Sequence, residues 1–409
     1  MLGWAAAAVA WGGWGVGEVL WGVGVRRAVR AARAAGGGGA GEGSEVLEVT
    51  VVVCVRNGED EVEPWAEAVR ACRGVAFEVV AVDDGSSDGT PERLATAADR
   101  WEPGRFRTVR VEGTGPGKRE ALAAGVAAAR GAIVVATDID CRPLEPGWVE
   151  ALSRPLRMGR ADVVAGVSLP VGKGAPRSGV EWMQLADDLR VARSYVAAAG
   201  WGWPYMAVGR NWAFPRDLAI KARASGPPGV ASGDDDLTLQ AWLRARPGLR
   251  VVADPRPEAA TVTAPARSVA AWSRRKRRHY STAPHYPVPV LLRLAWRPAL
   301  AVAGAVGAGV EVVRVEAAQA GEVVHTALGI VAGAAAAMWV VQAVTLHAFA
   351  RTAGLNGRAA WAGLVWPAVA AGRAIPGASA AWTAGRRRGR TPTEPLNMSR
   401  QSPADDPWT

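Results

Sequence analysis

The chain has 409 residues, which is enough for one large domain with additional segments or for two ordinary domains. Its three cysteines form no C-x-x-C pair, and an odd number excludes a fully paired disulfide framework. The formal net charge is +10, and each of three basic clusters lies beside an apolar stretch, which favours the flanks of membrane segments over a nucleic-acid surface. The clusters are Arg26, Arg27, Arg30 and Arg33; Arg274, Arg275, Lys276, Arg277 and Arg278; and Arg386, Arg387, Arg388 and Arg390. We therefore expect a membrane partner and no nucleic acid.

The N-terminal segment is apolar and is followed by the first basic cluster. Residues 2–25 carry one charge, Glu18, and are numerous enough to cross a bilayer. Residues 1–33 are therefore predicted to form a retained membrane anchor with a basic flank, its C-terminal end in the cytoplasm. A buried helix is the alternative, since glycine and alanine make the segment only mildly hydrophobic. Residues 34–45 are predicted to be a Gly-rich linker.

The central segment, residues 46–283, alternates predicted strands with predicted helices. Residues 47–55 are a mostly apolar run, which is typical of a strand buried on both faces of a sheet. The alternation predicts an α/β fold with a mostly parallel, doubly wound sheet and flanking helices. Further strands are predicted at 77–83, 107–111, 132–136, 162–167 and 250–253, and helices at 64–73, 91–101, 118–130, 148–158, 179–199 and 237–244.

Acidic residues follow two of these predicted strands directly. Asp83 and Asp84 end one strand, and Asp138 and Asp140 follow another in a D-x-D arrangement. The C-terminal ends of parallel strands are where α/β sheets bind ligands. Two carboxylates on an extended chain can bind Mg²⁺ or Mn²⁺, which also bind phosphate oxygens. This pattern indicates nucleoside-diphosphate chemistry, although the run from Asp83 is also an ordinary turn sequence.

Two further groups carry charge at predicted helix starts. Lys118 stands at a helix N-terminus, where its ammonium group and the backbone N–H groups favour a phosphate. Asp234, Asp235 and Asp236 are adjacent, and such a cluster is costly without a cation or a proton to share. An acidic first turn of a helix is the alternative explanation, because carboxylates there interact favourably with the helix dipole.

The order of these motifs resembles the family 2 glycosyltransferases with a GT-A fold, over roughly residues 46–282. Each motif alone is a weak signal, and their agreement in order is a strong one. The matching segments are residues 50–57, 83–88, 117–122, 138–143 and 232–237. The resemblance implies that the central domain transfers a sugar from a nucleoside-diphosphate sugar.

The resemblance also implies roles for particular residues. Asp138 and Asp140 would hold the metal ion, Mg²⁺ or Mn²⁺. Asp235 is our first choice for the general base that takes the acceptor's proton, followed by Asp234, with Asp236 as the remaining candidate. The residues expected to bind the donor are Arg56, Asn57, Asp83, Asp84, Lys118, Asp138, Arg275, Arg278 and His279.

The sequence departs from the family at the Q-x-x-R-W motif of processive polysaccharide synthases. Arg275 stands in place of the glutamine and His279 in place of the tryptophan, with Arg278 matching the arginine. The altered motif and the small number of apolar segments disfavour a processive synthase. Guanidinium groups still suit a pyrophosphate, and lipid headgroups are the alternative partner of this cluster.

A Trp-rich segment before the acidic cluster is a candidate acceptor region. It contains Trp201, Trp203, Arg210 and Asn211. Aromatic faces stack on sugars and also lie at membrane interfaces. Aromatic packing in the core is the alternative of equal weight.

The C-terminal part, residues 284–385, contains further apolar segments. Residues 298–313 are short for a full span, 323–350 are long enough with some tilt, and 359–381 are interrupted by Arg373 and Pro376. The loop after the first segment is acidic, as an outside loop should be. These features predict a multi-pass plasma-membrane protein with a cytosolic catalytic domain, followed by a basic, polar tail at 386–409.

These observations lead to one functional prediction. The protein is expected to be an inverting, metal-dependent glycosyltransferase that moves a sugar from a nucleoside-diphosphate sugar to a hydroxyl group, on a membrane lipid or a glycan, at the cytosolic bilayer face. A membrane lipid is preferred because basic clusters and apolar segments flank the domain. A processive polysaccharide synthase, a nucleotidyltransferase and a catalytically silent membrane scaffold are the alternatives.

Overall fold

The central sheet has seven strands in the order β3-β2-β1-β4-β8-β6-β9, and a smaller sheet has the order β5-β10-β7. The structure, a computed structural model, describes residues 2–37, 48–113, 117–172, 174–221, 233, 235–317 and 321–365. The strands are β1 (Val49–Val55), β2 (Phe77–Asp84), β3 (Phe106–Val111), β4 (Ile133–Asp138), β5 (Cys141–Pro143), β6 (Val163–Ala165), β7 (Ser168–Leu169), β8 (Asn211–Pro215), β9 (Val251–Ala253) and β10 (Thr261–Thr263). Strands β1 to β4 pair in parallel, and β8 is antiparallel to both β4 and β6. The prediction of an α/β fold with a mostly parallel sheet is confirmed.

Helices cover both faces of the central sheet. Strand β1 has apolar side chains on each of its two faces, and each face packs against helices. Val51 and Val53 face one hydrophobic core, which contains Trp65 and Trp148, and Val52 faces the other. The helices are α1 (Leu2–Gly36), α2 (Glu59–Arg70), α3 (Thr90–Ala98), α4 (Arg119–Ala128), α5 (Trp148–Arg157), α6 (Gly179–Gly200), α7 (Arg216–Lys221), α8 (Asp236–Ala245), α9 (Val269–Tyr280), α10 (Val288–Ala317) and α11 (Gly321–Thr352). Burial on both faces explains why β1 is apolar at every position except Thr50.

Strand β8 was not predicted. It inserts between β4 and β6, and its residues pair with β4 from Asn211 opposite Thr137 to Pro215 opposite Ile133. The strand is short, begins with a polar residue and ends with proline, so its local pattern does not indicate a central strand. Helix α2 also begins earlier than predicted, at Glu59, with Pro64 inside it.

Helix α1 corrects the prediction of an N-terminal membrane anchor. Among the described residues, only two helices are long and apolar enough to cross a membrane, and both are C-terminal. Glycines and Glu18 lower the hydropathy of α1, and Trp21, Val25 and Ala28 belong to a core that they share with α6. At Gly200 of α6 an added Cβ would overlap the α1 backbone, so the two helices approach very closely there. The structure shows a helix that buries one face against the rest of the protein and leaves Val9, Val16 and Val19 exposed.

The candidate membrane spans within α10 and α11 are Val288–Arg314 and Leu328–Thr352, 27 and 25 residues respectively. The first corrects the prediction of a short segment at 298–313, because α10 continues through Pro298 and begins ten residues earlier. The third candidate, 359–381, is described only to residue 365, within a 3-10 segment at Gly357–Val365. There the Trp361 ring stacks on His347 of α11, with their centroids 4.0 Å apart. Most of the predicted linker and the whole basic tail lie outside the described residues.

Candidate functional site

A cavity of about 1500 Å³ opens at the C-terminal ends of β1 and β4. Asn57 follows β1, Asp138 ends β4, and Asp140 precedes β5, so all three reach the cavity from strand ends. Lys118 and Asp235 line it from the N-termini of α4 and α8. The topology therefore brings together residues that are far apart in the sequence, at the edge of the sheet where α/β proteins bind ligands.

Asp138 and Asp140 form a compact carboxylate pair in this cavity. One ligand atom from each, together with Cys141 Sγ, lies within 4.8 Å of the others. Lys118 Nζ forms an ion pair with Asp138, and Thr263 Oγ1 donates to Asp140 Oδ2 at 2.9 Å. Thr263 is held there because β10 pairs with β5, directly opposite Cys141. The pair is consequently held by a lysine at the start of α4 and by a threonine of the smaller sheet.

The donor set fits a hard divalent cation through its carboxylates. Oxygen ligands suit Mg²⁺ and Mn²⁺, whereas thiol sulfur is a soft ligand. Burial, and after it the charges of Asp140 and Asp138, raises the pKa of the Cys141 thiol well above its ordinary value. The thiol is therefore neutral at pH 7. The two aspartates, not the cysteine, are the residues suited to hold Mg²⁺ or Mn²⁺.

The other acidic run, at the end of β2, is engaged in a turn. Asp83 is buried, and its carboxylate accepts from Ser86 N at 2.9 Å and from an Arg110 guanidinium nitrogen at 2.7 Å. Asp84 is fully buried as well. Neither residue is among those that line the cavity. Turn chemistry thus accounts for the contacts of Asp83, and a donor contact by either carboxylate stays a prediction.

Asn57 connects this turn to the cavity. Its backbone has a φ of 51°, in the left-handed region that asparagine tolerates better than most residues. Asn57 N donates to Ser86 Oγ at 2.9 Å, and Asn57 Oδ1 accepts from Ser87 N at 2.9 Å. Asn57 lines the cavity, whereas the neighbouring Arg56 does not. The contact of both residues with a donor stays a prediction.

Two of the three adjacent aspartates, Asp235 and Asp236, are described and line the cavity, and the role of Asp235 as a base stays a prediction. Asp235 is the N-cap of α8. Its Oδ2 accepts from Gly209 N at 2.6 Å and its Oδ1 from Asp236 N at 2.7 Å. Two backbone donors therefore orient the carboxylate while it stays at the cavity wall. Asp234, the second choice, lies outside the described residues.

Asp236 has a structural role, which argues against its use as the catalytic base. It is buried, and its Oδ1 accepts from Leu237 N at 2.7 Å. Its Oδ2 accepts from Thr282 Oγ1 at 3.0 Å and from Tyr286 Oη at 2.5 Å. Burial and then Asp236 raise the pKa of the Tyr286 hydroxyl, so it remains a donor. This network joins the acidic loop to the segment that leads into α10.

The predicted donor residues of α9 form a basic wall of the cavity. Arg275, Arg278 and His279 all line it, as does Arg210. Burial, and then Lys276 and Arg278, lowers the pKa of His279 well below its ordinary value, so the imidazole is neutral. Burial tends to lower the pKa of Arg210, but Cys141 and then the carboxylates of Asp188 and Asp140 outweigh it and raise that pKa. The wall can therefore hold an anionic ligand, and its contact with a donor stays a prediction.

Three of the four predicted acceptor residues are engaged elsewhere. Trp201 Nε1 donates to the Leu20 carbonyl of α1 at 2.9 Å, and the Trp203 ring stacks on Tyr205. Neither tryptophan lines the cavity. Asn211 is fully buried: it accepts from Trp148 Nε1 at 2.9 Å, and its amide nitrogen donates to two backbone carbonyls. Of the four residues, Arg210 lines the cavity and Asn211 is a core residue, and the contact of Trp201, Trp203, Arg210 and Asn211 with an acceptor stays a prediction.

Sequence reasoning missed a second, apolar part of the same cavity. Trp11, Trp14 and Trp21 of α1 line it together with Ala301 and Ala305 of α10. Residues 11, 14, 18, 21 and 25 follow the spacing of one helix face, which is the signal that could have revealed a shared orientation. The sequence does not show that this face meets the catalytic domain. The cavity thus continues from the carboxylates to the apolar helices.

Comparison with known proteins agrees with the fold. The family model described as Glycosyl transferase family 2 matches residues 50–220. The mannosyltransferase PcManGT from Pyrobaculum calidifontis, solved in complex with GDP-Man and Mn²⁺, is 21% identical with a TM-score of 0.50, covering 86% of this chain and 99% of that one. The succinoglycan biosynthesis protein ExoO of Rhizobium meliloti (strain 1021) is 38% identical over 96 residues, which are 23% of this chain and 26% of ExoO. The chain therefore matches only about a quarter of this curated relative. Residues 50–220 therefore match glycosyl transferase family 2, and the chain shares the GT-A-type fold of PcManGT.

Proposed function

We propose that this protein is an inverting glycosyltransferase that moves a sugar from a nucleoside-diphosphate sugar to a hydroxyl group of a membrane lipid at the cytosolic bilayer face. One observation carries the proposal: the cavity that holds Asp138, Asp140 and Asp235 continues to α10 and α11, the two helices long enough to cross a membrane. A soluble acceptor would not need that apolar continuation. A nucleotidyltransferase is disfavoured by the family 2 domain.

The donor's diphosphate has a complementary site among Asp138, Asp140, Lys118 and the basic wall of α9. When bound, a divalent cation would supply Lewis-acid stabilisation of the negative charge that develops on the departing nucleotide. Lys118 and Arg275 line the same cavity and contribute positive charge for phosphate oxygens. The fold that the chain shares with PcManGT, whose structure holds GDP-Man and Mn²⁺, supports this assignment.

Asp235 is proposed as the general base. Its carboxylate would take the proton of the acceptor hydroxyl while that oxygen bonds to the anomeric carbon and the bond from this carbon to the diphosphate breaks. The Gly209 and Asp236 amides hold the carboxylate through hydrogen bonds of 2.6 and 2.7 Å, which restricts its orientation. A single displacement of this kind inverts the configuration of the sugar.

The acceptor is proposed to come from the bilayer. Tyr286 and Thr282 bind Asp236, so the start of α10 is tied directly to the acidic loop next to the base. The cavity of about 1500 Å³ exceeds the roughly 300–1,000 Å³ of ordinary ligand pockets, and it has room for two substrates. Membrane helices tied to the catalytic loop would hold the site at the bilayer surface, where a lipid hydroxyl can reach it.

The proposal is tested by incubating membranes that contain the protein with a panel of radiolabelled sugar nucleotides, with and without Mn²⁺, followed by lipid extraction. We expect Mn²⁺-dependent label in the organic phase for one donor. The Asp138→Ala variant should give no label, while Asp99→Ala, an exposed aspartate of the same domain, should behave as the unmodified protein. Label found only in water-soluble polymer would contradict the lipid acceptor and favour a polysaccharide synthase.

A further inference from the structure

We infer that the apolar part of the cavity is a binding site for the hydrocarbon tail of the acceptor lipid. This part, called the inner arm, is lined by Trp11 and Trp14 of α1, Ala301 and Ala305 of α10, and Ala335 and Met338 of α11. The inference rests on the proposed function, because it assigns a place to the acceptor of that reaction. It goes further by naming the residues and the kind of acceptor: a lipid with a long, slender chain.

The inner arm has large aromatic side chains on one wall and small ones on the facing wall. The Trp11 ring packs directly against Gly304 of α10, where an added Cβ would overlap the indole. Ala301 and Ala305 are one helical turn apart, on the same face of α10. The indole rings and alanine methyl groups offer no hydrogen-bond partners other than the indole N–H groups, and Gln342 is the polar residue of α11 that lines the same cavity. Such a surface suits a hydrocarbon chain and not a sugar.

The length of the inner arm follows from the helix positions that line the cavity. On α10 these run from Arg297, at the polar end of the arm, through Ala301 to Ala305. Eight residues of α-helix correspond to about 12 Å, since the rise is about 1.5 Å per residue. A long acyl or isoprenoid chain can fill this distance. A short alcohol would leave most of the arm without contacts.

A buried charge cluster lies where the polar part of the cavity meets the inner arm. Glu18 of α1 is fully buried and pairs with Arg193 of α6 at 2.7 Å and with Arg297 of α10. Thr345 of α11 donates to the same carboxylate at 2.9 Å. The cluster therefore joins all the helices that form the arm to the catalytic domain, through α6. Arg193 and Arg297 also line the cavity, so they mark the level where a polar headgroup gives way to the tail.

Narrowing the arm tests the inference with a matched pair of variants. Ala305→Trp places an indole inside the arm, while Val306→Trp places one at a neighbouring position that is 60% exposed and outside the cavity. Each protein, in phosphatidylcholine nanodiscs, is irradiated with hexadecanol that carries a diazirine at the middle of its chain. We expect crosslinks to α1 peptides around Trp14 in the unmodified protein and in Val306→Trp, and at least a fivefold loss in Ala305→Trp. Equal labelling of the two variants, or none of these peptides labelled, would overturn the inference.

Chain-length dependence of transfer gives a second readout. With the same donor, Ala305→Trp should raise the KM for hexadecanol at least tenfold and leave the KM for butanol unchanged. An equal change for both alcohols would contradict a tail site. Crosslinking of the arm without transfer to any lipid would instead contradict the proposed function and leave the tail site standing, so the two failures are distinguishable.

Discussion

Lys118 and Asp235 are joined through a single residue, Gly209. Lys118 Nζ donates to the Gly209 carbonyl at 3.2 Å, and Gly209 N donates to Asp235 Oδ2 at 2.6 Å. Because Lys118 also pairs with Asp138, the proposed metal ligand and the proposed base are held in one connected arrangement. A change at either end is therefore expected to affect the geometry between leaving group and acceptor.

Replacing the proposed base should abolish transfer without abolishing donor binding. Asp235→Asn keeps the shape of the side chain and can still accept one of the two backbone N–H groups, from Gly209 or Asp236, but it cannot take a proton. General-base catalysis contributes about 10²–10⁴-fold, so kcat should fall by that range while the donor Kd stays within twofold. The measurement is nucleotide release together with donor titration. Asp217→Asn, at an exposed position of α7, is the control. Normal turnover by Asp235→Asn would show that another group is the base.

Removing a carboxylate from the pair should remove metal binding. Asp140→Asn keeps an oxygen that can accept from Thr263 but eliminates a negative charge from the cation site. Titration with Mn²⁺ followed by electron paramagnetic resonance should show bound ion in the unmodified protein and at least tenfold weaker binding in the variant. EDTA should stop transfer, and added Mn²⁺ should restore it. Unchanged Mn²⁺ affinity would place the cation elsewhere.

Breaking the Glu18 cluster should destabilise the whole protein. Glu18→Gln leaves Arg193 and Arg297 buried without their counter-charge, and loss of one partner of a buried ion pair costs about 3–5 kcal/mol. Denaturant unfolding in detergent should show this loss. Glu102→Gln, at a position whose side chain is 83% exposed, should change stability by less than about 0.5 kcal/mol. Equal stability of the two variants would mean that the cluster does not hold α1 in place.

Stability should fall in mild acid because of His279. Its pKa is lowered in the folded protein by burial and nearby cations, so the unfolded chain binds a proton more readily. The contribution to stability is complete above the unfolded pKa of about 6.5 and is lost as pH falls below it toward the folded pKa. The melting temperature of His279→Asn should decrease less between pH 7 and 5 than that of the unmodified protein. The exposed His285→Asn serves as the control. If the melting temperatures of the unmodified protein and both variants fell equally with pH, His279 would not be neutral in the folded protein.

Much of the sheet could be predicted because its signals are local. Strands β1, β2 and β4 are apolar runs, and two of them end in aspartates, so both the strand ends and the carboxylate pair could be identified by position. Strand β8 lacks such a run, and its place depends on pairing with β4 and β6. Long-range pairing of a short strand leaves little trace in the strand itself.

The roles of adjacent acidic residues could not be separated from the sequence. Asp235 and Asp236 have the same chemistry, and they differ because Thr282 and Tyr286 reach only Asp236. Likewise the apolar pattern of α1 predicted a helix, but not that Glu18 meets Arg193 of α6, 175 residues away in the chain. Both distinctions arise from tertiary contacts.

The most direct test of the central claim is mass spectrometry of lipids after reaction with purified protein. The protein and its Asp235→Asn variant would be reconstituted in vesicles of native membrane lipid with Mn²⁺ and the donor identified by the radiolabel panel. The account predicts a lipid whose mass is increased by one glycosyl residue, formed by the unmodified protein and absent with the variant. A glycosylated lipid formed equally by both, or sugar transferred only to soluble acceptors, would contradict it.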